Sequence, residues 1–199
     1  TADYTAASGA VQVNLAAGTV TGADGNDMLV SIEAVWGSTQ GDLLTGSTSN
    51  NLFWANGGDD TVVGDAGFDL MAYDNQPTAV TVLFSAPGTG TSTGVGNDQF
   101  TGIEMILGSN GADSMVGSSG DETFRGNLGN DTLDGGGGFD TVDYRLAPAG
   151  VRVDLRGDAY ADLGDGLDTL LNFEAISGSL LHAASPRCAP ATMPASASL

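Results

Sequence analysis

A nine-residue register decides what this chain can fold into. From Gly37 the sequence reads GSTQGDLLT, GSTSNNLFW, ANGGDDTVV and GDAGFDLMA, and from Gly108 it reads GSNGADSMV, GSSGDETFR, GNLGNDTLD and GGGGFDTVD. The sixth place carries Asp42, Asn51, Asp60 and Asp69, then Asp113, Glu122, Asp131 and Asp140. The eighth is apolar throughout: Leu44, Phe53, Val62 and Met71, then Met115, Phe124, Leu133 and Val142. A period this regular belongs to stacked repeats, a solenoid in which each unit buries its apolar residue against its neighbours. A flexible linker, which 31 glycines in 199 residues would also allow, has no reason to hold Phe53, Val62 and Met71 in register.

Glycines cluster in the first four places of each block, where a chain without Cβ turns sharply and its carbonyls can point into one cavity. The sixth-place carboxylate adds a hard anionic oxygen, and the eighth-place residue turns inward on the short strand that follows. An all-oxygen turn without His or Cys suits calcium, which takes six to eight oxygens in flexible geometry, better than magnesium with its strict octahedron.

The blocks resemble the haemolysin-type calcium-binding repeats of the RTX (repeats-in-toxin) family, whose nonapeptide is G-G-x-G-x-D-x-U-x. The resemblance implies an all-β fold, a parallel β-roll with two nonapeptides per turn and several calcium ions, roughly four or more. It also implies the ligand pairs Asp42 with Asp60, Asn51 with Asp69, Asp113 with Asp131, and Glu122 with Asp140. Asn51 keeps an oxygen but loses the charge and Glu122 is one methylene longer, so those two pairs are expected to be the weaker ones.

A longer repeat of about 70 residues encloses the nonapeptides. Asp3-Tyr4, Ala72-Tyr73 and Asp143-Tyr144 each open a unit, followed by alternating strands at Val11-x-Val13-x-Leu15, Val80-x-Val82-x-Phe84 and Val151-x-Val153-x-Leu155. A lone calcium-like turn then stands at 22–30, 93–101 and 163–171, with Asp27, Asp98 and Asp168 as second-rank ligand candidates. Glu33, Glu104 and Glu174 recur six residues later, as ligands or as carboxylates that hold backbone N–H groups at an irregular turn. The expected divisions are a first roll unit at 1–72, a second at 73–143, a truncated third at 144–182, and an Ala/Ser/Pro-rich tail at 183–199. The tail reads equally as a linker or secretion-type end, as the point where a longer parent stops, or as a cap on the open end of the roll.

Charge narrows the partners. Twenty-five acids against five arginines give a net charge of −20, and 21 of the acids are the short-armed Asp that suits turns and ligation. Nucleic acid and anionic membrane surfaces are poor partners for such a surface. No segment reaches the length of a membrane span, and residues 1–20 lack the basic start and apolar run of a secretory signal. One His182 and one Cys188, both beyond the repeats, supply neither a disulfide nor an ordered nucleophile and base.

The leading expectation is a non-catalytic, calcium-binding module of a secreted, extracellular or cell-surface bacterial protein, exported by type I secretion and folding on external calcium, as the resemblance implies. Two alternatives remain. One is an accessory module of a secreted hydrolase or polysaccharide-modifying enzyme; no HExxH motif is present to place zinc chemistry in this segment. The other is an extra subunit docked on a larger extracytoplasmic complex. Beyond calcium, the partners in view are another protein or an extracellular polysaccharide.

Overall fold

A computed structural model describes residues 1–148, 151–153, 159–162 and 166–178. The tail at 183–199, with His182 and Cys188, lies outside them. The described elements are strands and turns in two facing sheets, an all-β parallel β-roll.

One sheet has eight strands, all parallel, in the spatial order Ala2–Asp3, Ala34–Trp36, Leu52–Trp54, Leu70–Ala72, Met105–Leu107, Thr123–Arg125, Thr141–Asp143 and Ala175–Ser177. The opposite sheet has thirteen. There Leu44 lies beside Val62 and Met115 beside Leu133, eighteen residues apart, so successive nonapeptides alternate between the sheets and two of them make one turn. The eighth-place side chains all point inward: Leu44, Val62, Met115 and Leu133 meet Phe53, Met71, Phe124 and Val142 as fully buried residues of one core. Each such side chain contributes about 1.5–3 kcal/mol of burial. The core is one side chain deep and extends along the roll, so every turn depends on its neighbours.

The thirteen-stranded sheet owes its width to three antiparallel meanders. They are Val11–Asn14, Thr19–Gly22 and Gly25–Met28; then Thr81–Ala86, Thr89–Thr93 and Asn97–Thr101; then Arg152–Val153, Ala159–Asp162 and Leu167–Leu171. The first strand of a meander runs parallel to the nonapeptides that follow it, as Val82 beside Met115. The last runs parallel to those that precede it, with Phe100 beside Val62 and Leu170 beside Leu133. Asp27, Asp98 and Asp168 therefore stand on strands, where the sequence reading expected turns. The middle strand TGTST has no alternating apolar residues, because its inward places are Gly90 and Ser92, both buried. Gly90 is small for a steric reason: a Cβ there would sit 2.6 Å from the ring of Phe100, which packs edge-on against Phe84.

Away from the core, the eight-stranded sheet carries Trp36 stacked on Trp54 at 4.2 Å, and the Trp54 indole N–H donates to Asp74. Leu52, Leu70, Ala72, Met105 and Leu107 form a second apolar cluster beside them. Asp143, fully buried, is held by Arg125 and Arg145; burial raises its pKa, but the hydrogen bonds from the two arginines prevail and keep the carboxyl below its ordinary value.

Candidate metal centre

Every sixth-place side chain of the nonapeptides is buried at an edge between the sheets. The chain brings them there because the turn leaves one strand at the first place and enters the opposite sheet just after the sixth. They stack in two columns. In one, Asp42 accepts the Val11 N–H at 2.8 Å, the Asp42 N–H donates to Asp60 at 2.7 Å, and the Asp60 N–H donates to Asp98 at 3.1 Å. The second unit repeats it: Val80 N–H to Asp113, Asp113 N–H to Asp131, and Asp131 N–H to Asp168, at 2.7–3.0 Å. In the other column the Asn51 N–H donates to Asp69 and the Glu122 N–H to Asp140, at 2.7 and 2.8 Å. The column then continues to Glu104, which accepts the Asp69 N–H, and to Glu174, which accepts the Asp140 N–H.

The eighteen-residue pairs thus face each other, and the structure extends each by a third carboxylate that spacing did not reveal. Asp98 and Asp168 lie 38 and 37 residues beyond their partners, Glu104 and Glu174 lie 35 and 34, so a search at a fixed period misses them. Their other oxygens are engaged too: Asp98 accepts from Tyr73 and Ser92, and Asp168 from Tyr144. Asp27 stands apart at the amino-terminal end, exposed, with the Tyr4 hydroxyl at 3.1 Å.

Donors are shared unequally among the turns. Ser38 gives both its N–H and its hydroxyl to Asp42, Ser109 does the same to Asp113, and Ser118 to Glu122; Ser47 gives both to Asn51. In the other turns the second place is Asn56, Asp65, Asn127 or Gly136, each at positive φ (69°, 69°, 68° and 87°). The glycine at the fourth place there is also at positive φ, between 114° and 139°. The second carboxylate oxygens of Asp60, Asp69 and Asp140 are buried without a hydrogen-bond partner.

An orphaned, buried carboxylate oxygen calls for a cation or a proton. Burial, with Asp98, Asp42 and Asp59 nearby, pushes Asp60 up to about 8, even though the Asp42 N–H opposes the shift. Asp69 and Asp140 rise to about 6, first by burial and then by the neighbouring carboxylates Glu104 and Asp65, or Glu122, Glu174 and Asp121. The cradle is tight: a Cβ on Gly64 would meet the Gly102 carbonyl oxygen and stand 2.6 Å from Asp69 Oδ2. Among the described residues no three acidic, His or Cys side chains converge on one point, so an ion here would take carboxylates together with backbone carbonyls. That donor set fits calcium.

Residues 36–71 and 107–142 match a family described as the RTX calcium-binding nonapeptide repeat, in four copies. No curated protein matches the chain. Among the described residues no helix is long and apolar enough to cross a membrane.

Proposed function

We propose, for a chain that carries the RTX calcium-binding nonapeptide repeat, that this β-roll is a non-catalytic module of a secreted or cell-surface bacterial protein and folds as it meets external calcium. The observation that carries the reading is the set of buried, unpartnered oxygens on Asp60, Asp69 and Asp140. With Asp131 at the equivalent place, these are the carboxylates that would hold the ions. When bound, calcium supplies the positive charge that lets such buried carboxylates stay ionised.

The chain's own residues do the rest. The N–H groups of Asp42, Asn51, Asp113 and Glu122 fix one oxygen of each carboxylate. The core leucines, valines and phenylalanines fix the strand that follows. At a dissociation constant of about 10⁻⁴ M, typical of extracellular sites, about 1 mM calcium stabilises the fold by roughly 1.4 kcal/mol per ion. Four ions give about 6 kcal/mol, comparable with the whole stability of a domain, while the net charge of −20 opposes the compact state. Circular dichroism tests this. At about pH 8 the calcium-free chain should be largely unordered and gain β signal with calcium but not with equal magnesium; a spectrum indifferent to calcium at that pH rules the proposal out.

A further inference from the structure

Building on the calcium reading, we infer that only half of the eight nonapeptide turns take an ion: 55–60, 64–69, 126–131 and 135–140. The turns 37–42, 46–51, 108–113 and 117–122 are closed by serine and take none.

Three features divide the turns along the same line. The first is donor supply. In each closed turn the serine N–H and hydroxyl both donate to the sixth-place side chain, at 2.6–3.3 Å, and the serine oxygen accepts the N–H of the fourth residue, at 2.9–3.2 Å. Asp42 and Asp113 each receive a third bond, from Val11 and Val80. Calcium entering such a turn must compete with protons already in place. In the open turns the orphaned oxygens of Asp60, Asp69 and Asp140 have no such competitor.

The second feature is backbone shape. Among the described nonapeptide turns, positive φ at the second and fourth places occurs in the open four and in none of the closed four. Turning the second residue to positive φ takes its N–H away from the carboxylate. This is why Asn, Asp or Gly stands there in the open turns, while Ser serves in the closed ones.

The third is the chain's own variation. Its two departures from aspartate, Asn51 and Glu122, both fall in closed turns, and the open turns hold Asp60, Asp69, Asp131 and Asp140 without exception. A neutral amide oxygen can still accept from a serine, but it is a poorer ligand than a carboxylate for a dication. Within the folded roll the serine turns are thus braces that need no ion of their own, and the open turns are the loading positions.

Counting ions tests the inference. Equilibrium dialysis against calcium, with the protein-bound metal measured by elemental mass spectrometry, should give four ions per chain. Asp131→Asn should lower the count to three, whereas Asn51→Asp, which restores the carboxylate of the repeat pattern, should leave it at four; circular dichroism in excess calcium checks that each variant is folded. Eight ions in the parent chain, or a fifth in Asn51→Asp, overturns the inference and leaves the calcium reading standing. No bound calcium at all overturns both.

Discussion

Protons should replace calcium in holding this roll together, and Asp60 gives the size of the effect. Its folded-state pKa lies at about 8, raised chiefly by burial, against 3.8 for the free side chain. A carboxyl whose pKa is raised by folding favours the native state while it is protonated. Below about pH 4 both states hold the proton and the stabilisation is complete; between 4 and 8 the unfolded chain has released it and the fold has not, so stability falls with rising pH. Over four pH units this amounts to at most about 5 kcal/mol from Asp60 alone. Asp69 and Asp140 act in the same direction between 4 and about 6. The loss is comparable with the stability of a whole domain. Circular dichroism of protein dialysed free of calcium should therefore show little β structure at about pH 8 and a roll that forms, and melts at rising temperature, as the pH falls toward about 5. Saturating calcium should remove most of that slope, because the ion displaces the proton from the same oxygens. A metal-free roll that becomes more stable as the pH rises from 5 to 8 would refute the burial argument, whatever calcium does.

Other outcomes follow from single contacts. Tyr73→Phe removes the hydroxyl shared by Ser92 and Asp98 and leaves Asp98 buried with one donor fewer, so chemical denaturation should register a loss of about 1–3 kcal/mol. Phe124→Ala deletes a fully buried ring between Phe84 and Phe173, at a cost of about 3–5 kcal/mol, and should raise the calcium concentration needed for folding. The purified chain with calcium should show no turnover of alginate, pectin, casein or short esters. Activity lost in Asp131→Asn while the fold survives would identify that carboxylate as catalytic.

The period of nine is enough to read a solenoid, because it fixes both the apolar column and the acidic turns; the parallel roll with two repeats per turn is what the resemblance to the RTX repeats adds. Leu44, Phe53, Val62 and Met71 were placed inward from their spacing alone, and all four are buried. The meanders were harder. Their middle strands carry Thr, Ser and Gly, and Gly90 and Ser92 face inward only because Phe84, Phe100 and Tyr73 fill the space, a tertiary cause with no local signature. The ties from Asp60 to Asp98 and from Asp69 to Glu104 were hidden because a whole meander intervenes. The difference between serine turns and open turns was visible as letters at the second place of each repeat. Its meaning lay in which N–H faced the carboxylate, and this depends on φ.

The two layers hold unequal numbers of strands, eight against thirteen. Hydrogen-bonded strands sit about 4.8 Å apart, so a meander of three strands facing a single strand makes the wide layer about 10 Å longer at each such junction. Two layers packed on one core cannot both run straight under that difference. Strain of this kind is least if the thirteen-stranded layer takes the longer path, and Tyr73, Phe84, Phe100 and Ile103 of the common core fill the junction. On the narrow layer, Met105 and Leu107 are buried beside Leu70 on the face turned away from the core. The length of a unit and the placing of its meander thus determine bending as well as sequence spacing, and a chain of such units would describe an arch rather than a rod.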